Sequence, residues 1–145
     1  MSTKFTIILT ITLAASTIVK ANLGGGVMTG GTTVQSTEGQ KAKLLEKLEK
    51  CQGKTPKHLD AVNKISLETS QLILYGTQVV AGVNDSAIFK LANNQGFACI
   101  KIWNKLDKTY DLTNAAVVAT YGEIRKACNF GESFVSSYTD QVDMR

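Results

Sequence analysis

Two strand-like runs separated by little more than a glycine constrain this chain more than any other feature in it. Leu72 to Val80 and Val83 to Leu91 are both rich in β-branched, aromatic and aliphatic residues, the composition of half-buried strands. Between them stands Gly82, followed at once by Asn84-Asp85, residue types that punctuate a tight reversal. The pattern predicts an antiparallel hairpin with Gly82 near its apex. The segment entering the reversal, Gln78-Val79-Val80-Ala81-Gly82, carries two valines and an alanine where most hairpin tips are polar. Apolar surface held out to water implies a cover, and the groove of a partner is the obvious one.

The flanking sequence extends this hairpin into a sheet. Asn93-Asn94-Gln95-Gly96 reads as a polar turn and Phe97 to Trp103 as the next strand. Asn104 to Lys108 reads as a loop, and Tyr110 to Tyr121 contains a further strand, richest at Ala116-Val117-Val118. Upstream, Ser36-Thr37-Glu38 offers a helix start: Ser36 or Thr37 to cap free amides, Glu38 to suit the positive end of the dipole. Leu44, Leu45, Leu48 and Cys51 form an apolar stripe among Lys41, Lys43, Glu46, Lys47, Glu49 and Lys50. Gly53 ends that stretch, and Thr55-Pro56 starts a second short helix with Leu59, Val62 and Ile65 on one face. Helical segments followed by hairpin-connected strands define an α+β class, a sheet wrapped around a helix.

The ends of the chain read differently. Lys4, the apolar run Phe5 to Ala15 and the small-x-small site Val19-Lys20-Ala21 describe a secretory signal peptide over residues 1–21. Its apolar run is too short and too broken by Ser and Thr to span a bilayer, so the expectation is a protein secreted or held in a vesicle or lysosome lumen, with no membrane attachment after cleavage. Cleavage after Ala21 removes Lys4 and Lys20, and the formal charge falls from +4 to about +2. That argues against nucleic acid as a partner, which would need a clustered basic face. Asn22 to Thr33 is a glycine-rich opener, costly to order. Residues 22–122 form the expected domain and 123–145 an extension, a terminal helix or a mobile tail.

Three cysteines, Cys51, Cys99 and Cys128, leave one bridge plus a free thiol, an intermolecular bridge, or none. Cys99 and Cys128 are the better pair, since both fall in the C-terminal sheet region. The cysteines are isolated and His58 is the sole histidine, so no metal site and no cysteine–histidine dyad is expected. His58 reads as a solvated residue on a helix surface. Asp85, Asp107 and Asp111 read as turn residues, common there for backbone reasons. With no convergent titratable groups, no enzyme is expected.

Gln78-Val79-Val80-Ala81-Gly82, continued by Val83-Asn84, resembles the QxVxG first hairpin loop of the cystatin superfamily, the reversible inhibitors of papain-like cysteine proteases. The match lies after a helical segment and inside a strand pair, as in that family. The resemblance implies a cystatin-like fold, an antiparallel β-sheet wrapped around one main α-helix. It implies a noncovalent, competitive inhibitor of cathepsin-type proteases, with no cofactor. Three segments would enter the protease cleft. One is a glycine trunk, either Gly24-Gly25-Gly26 with Leu23 ahead of it, which is preferred, or Gly30-Gly31. The second is Gln78 to Gly82. The third is the second hairpin loop, here represented by Trp103, Leu106 and Asp107.

Departures from the family are visible too. Stefins carry Leu-Pro in the second loop and secreted cystatins Pro-Trp, whereas this chain has Leu106-Asp107 with Trp103 a few residues earlier. Trp103 either supplies the missing apolar contact or packs in the core. Some secreted cystatins bridge strands comparable to those of Cys99 and Cys128, at shorter spacing. The family also exchanges strands through the first hairpin, so a swapped dimer stands beside the expected monomer. A cystatin-fold binding protein that does not inhibit is the alternative function.

Overall fold

The computed structural model describes residues 31–143. The expected signal peptide, Leu23 and Gly24-Gly25-Gly26 lie outside the described residues. The chain forms β1 (Thr33–Gln35), α1 (Gln40–Lys50), α2 (Pro56–Lys64), β2 (Gln71–Val80), β3 (Gly82–Lys90), β4 (Phe97–Asn104), β5 (Tyr110–Val118), α3 (Ile124–Cys128) and α4 (Glu132–Asp143). The five strands make one antiparallel sheet in sequence order, so every strand lies beside its chain neighbour and none crosses over. The class is α+β.

Both helix starts have local causes, and only one is the expected one. Thr55 caps α2 by accepting the His58 amide at 3.2 Å, with Pro56 in the first turn where its missing N–H costs nothing. By contrast, α1 begins at Gln40, later than Ser36–Glu38 suggest. Ser36 Oγ instead accepts the Glu38 amide at 3.2 Å in a local turn, and Gly39 precedes the helix at φ +73 without a side-chain cap. Short hydroxyl side chains compete with the helix for amides, and here the turn wins. Strand β1 lies between the expected opener and the expected helix start, sharing only Thr33 with the opener. Its three exposed residues pair with Thr77, Gly76 and Tyr75.

The sheet is covered on both faces, by α1 and α2 on one and by the C-terminal segment on the other. On one face, Leu44 and Leu48 of α1 and Ala61 of α2 pack on Tyr75, Ala87, Phe89, Ala98, Ile100, Ile102, Leu112 and Ala115. On the other, Ile124, Cys128, Phe130, Phe134 and Val135 pack on Ile73, Leu74, Ile88 and Cys99. Residues 123–143 are therefore a second layer and not an appendage. A bulge between Leu72 and Leu74 turns Ile73 and Leu74 to this same face, enlarging the apolar floor under α4. Cys99 and Cys128 are joined by a disulfide that ties β4 to α3, while Cys51 is free and buried in the first core.

The outer edge of β5 is partly closed. Gln52, between α1 and α2, donates its amide to the Tyr110 carbonyl at 2.8 Å and accepts from the Leu112 amide at 3.0 Å. A paired edge cannot template another chain along that stretch.

Candidate functional site at the hairpin ends

Both hairpins point to the same end of the sheet. In the first, Val79 pairs with Val83 and Val80 with Gly82, which leaves Ala81 alone at the apex. In the second, β4 finishes at Asn104 opposite Val83, so its loop emerges beside that apex. Asn84 and Asp85, expected at the reversal, lie inside β3 instead. The glycine makes the turn: Gly82 sits at φ +102, and a Cβ there would overlap the Asn104 carbonyl oxygen.

The second loop is a tight turn from Lys105 to Thr109. Lys105 donates its amide to the Thr109 carbonyl at 2.9 Å, and the Lys108 amide returns to the Lys105 carbonyl at 3.0 Å. Lys108 takes up φ +71. Asp107 braces the turn by accepting the Thr109 amide at 3.0 Å and its hydroxyl at 2.6 Å, contacts that also hold its carboxyl below the ordinary carboxylate range. Asp107 is thus a turn residue, as its type suggests, whereas Asp111 belongs to β5 and pairs with Lys105 at 3.1 Å.

These two loops hold the most exposed apolar side chains of the described residues. Val79 is 85 % exposed and Leu106 79 %, with Val80 at 40 %. By strand alternation Val79 belongs to the face that carries α1 and Val80 to the opposite one. On that opposite face, Val80, Ala81, Asn84, Trp103 and Thr113 line a shallow groove of about 410 Å³. Trp103 does not enter either core. It lies half-buried against the first hairpin, its indole N–H donating to the Ala81 carbonyl at 2.8 Å. Gln78 takes no part in the apolar surface. Its side-chain carbonyl accepts from the Asn84 amide at 3.4 Å across the hairpin.

Beneath the apex lies a cluster that sequence reading missed. Asp85 is 2 % exposed and accepts from Lys47 Nζ at 2.6 Å, the Tyr75 hydroxyl at 2.9 Å and Asn104 Nδ2 at 2.9 Å. Burial, followed by the adjacent Asp85 charge, pushes the Tyr75 phenol above its ordinary range. The available signal was position: Asp85 falls in the alternation of β3 with Ala87 and Phe89, which marks an inward residue.

His58 is half-buried and not fully solvated, with Nδ1 shielded and without a hydrogen-bond partner among the described residues. Among those residues no group of three or more His, Cys, Asp or Glu is placed to hold a metal ion, and no helix is long and apolar enough to cross a membrane. Comparison with protein-family models, curated proteins and solved structures finds no match to this chain.

Proposed function

We propose that this chain is a cystatin-like, noncovalent inhibitor of papain-like cysteine proteases that acts as a wedge. One observation carries the reading: Gln78 to Gly82 forms the apex of a long hairpin with Val79 exposed, and the loop bearing Leu106 stands beside it. Two apolar projections at one end of a rigid sheet suit a narrow apolar cleft. At about 25 cal/mol per Å², burying a few hundred Å² contributes several kcal/mol before association costs are met. The Cys99–Cys128 disulfide favours an oxidising compartment, and so a secreted or vesicle-lumen protein.

The third segment of the wedge is the chain ahead of β1. Thr33 stands opposite Thr77, three residues short of Val80. An extended chain rises about 3.3 Å per residue, so a trunk acting beside the tip needs only two or three residues before Thr33. Gly30-Gly31 lie at that distance along the chain, and Gly24-Gly25-Gly26 lie well beyond it.

Kinetics test the reading. Inhibition of papain should be competitive with a peptide substrate, reversible on dilution, and should leave the chain uncleaved. Noncompetitive inhibition, or cleavage at the tip, would replace the wedge with another mode. A second reading, a binding protein of the same fold without inhibitory activity, draws on the second layer over the sheet, formed by the C-terminal segment, and on the second loop's lack of proline.

A further inference from the structure

Among the described residues, the side-chain support of the first hairpin tip comes from β4. On the β1 side the pairing of the described residues ends at Thr33 opposite Thr77. On the β4 side the ladder ends at Asn104 opposite Val83, two residues below the apex. Asn104 anchors that base, with Nδ2 donating to the Val83 carbonyl at 2.8 Å and to Asp85 at 2.9 Å. Above it, the Trp103 indole N–H reaches the apex and donates to the Ala81 carbonyl at 2.8 Å. The ring is held in turn by Lys105, whose ammonium lies 5.6 Å from its centroid and is fixed by Asp111 at 3.1 Å.

We infer that Trp103 is a positioning residue: its indole N–H latches the apex carbonyl of Ala81 and holds the first hairpin tip in the conformation that enters the partner's cleft. The inference rests on the inhibitor reading for its purpose, though the latch itself is a property of the free protein. The hairpin's own ladder runs to Val80 and Gly82, but its last pair with β4 is two residues below the apex; a tip free to bend there would cost affinity when ordered on binding. The physics also accounts for the tryptophan's position at the end of β4 and not in the loop. From there, opposite Asn84, its N–H reaches back across the strand to the neighbouring apex.

Trp103→Phe keeps an aromatic ring and removes the donor, and Trp103 lies outside both cores, so the fold should survive. Amide hydrogen exchange at Val80–Val83 should rise about tenfold in the free variant, the typical worth of one hydrogen bond, with exchange elsewhere unchanged. Dissociation from papain should quicken by a similar factor while association stays near its original rate. In the original protein the indole N–H of this sole tryptophan should give one resonance protected from solvent exchange. Weaker papain binding with unchanged apex exchange would make Trp103 a contact residue and overturn the latch. Faster apex exchange with unchanged dissociation would overturn its role in binding. If the original protein does not bind papain at all, the inhibitor reading fails, and the exchange comparison still decides whether the latch exists.

Discussion

Lys47 on α1 sets its ammonium 2.6 Å from the carboxylate of Asp85 on β3, joining the helix layer to the sheet just below the hairpin tip. The carboxylate is buried at 3 % side-chain exposure, and its other contacts come from Tyr75 and Asn104, one from each strand flanking β3. Breaking a buried pair costs far more than the pair is worth, because the remaining charge has lost water and gained nothing. Lys47→Met should therefore destabilise the protein by about 3 kcal/mol. Asp85→Ala should cost at least as much, since it leaves the Tyr75 hydroxyl and the Asn104 amide without that acceptor. Urea denaturation of both variants measures this, and losses under about 1 kcal/mol would mean the cluster is not a structural anchor.

Gly82 is a poor place to probe binding cleanly. With φ at +102 and the Asn104 carbonyl where a Cβ would go, even Gly82→Ala must deform the hairpin end. A loss of about 1–3 kcal/mol is expected, together with altered chemical shifts at Asn104 and Trp103. A Gly82→Ala variant as stable as the original would show that the apex relaxes freely.

The Cys99–Cys128 bridge closes a separation of 29 residues and pins the C-terminal layer to β4. Loop-closure entropy gives about 3–4 kcal/mol for a loop of this length. A double Cys99→Ala, Cys128→Ala variant should lose roughly that stability and bind a hydrophobic dye where α3 lifts from Ile88. No change in either would place the second layer's stability in Phe130 and Phe134 alone.

Alkaline pH should unsettle the first core. Burial pushes the Cys51 thiol from about 9.0 up to about 11, and burial with the Asp85 charge raises Tyr75 as well. A group whose folded pKa is raised stabilises fully below its unfolded pKa and loses that contribution as pH climbs to the folded value. Stability should thus be flat in this respect up to about pH 9 and fall between about 9 and 11. Cys51→Ala should flatten that part of the profile, measured by thermal denaturation across the range. The native thiol should also react slowly with iodoacetamide at pH 8, because so little of it is thiolate.

Much of this architecture is written locally in the chain. The runs Leu72–Val80 and Val83–Leu91 show as strands because their β-branched and aromatic content differs from the Lys- and Glu-rich helical stretch before them, and Thr55-Pro56 announces α2 by cap chemistry alone. What was not legible depended on distant partners. Strand β1 is three exposed residues whose only reason to be a strand is β2 beside it. Asp85 looks like a turn residue until Lys47, Tyr75 and Asn104 converge on it. The C-terminal segment looks like a tail because its apolar residues, among them Ile124, Phe130, Phe134 and Val135, are interleaved with polar ones, and they make sense only against the second sheet face. Of the proposed site, the tip residues were readable. The latch from Trp103 to Ala81 was not, since it spans 22 residues and depends on the register of β4.

The central claim is that the exposed hairpin tip binds a cysteine protease cleft, and Val79 tests it most directly. At 85 % exposure its replacement leaves both cores untouched, so Val79→Asp should shift stability by no more than about 0.5 kcal/mol. The measurement is a titration of papain, with a fluorogenic substrate, by the protein from Asn22 onward and by its Val79→Asp variant. The account predicts nanomolar inhibition by the first and a loss of about a hundredfold or more in the second, from burying an unpaired charge in the interface. No inhibition by the original protein at micromolar concentration, or equal inhibition by both, would contradict it.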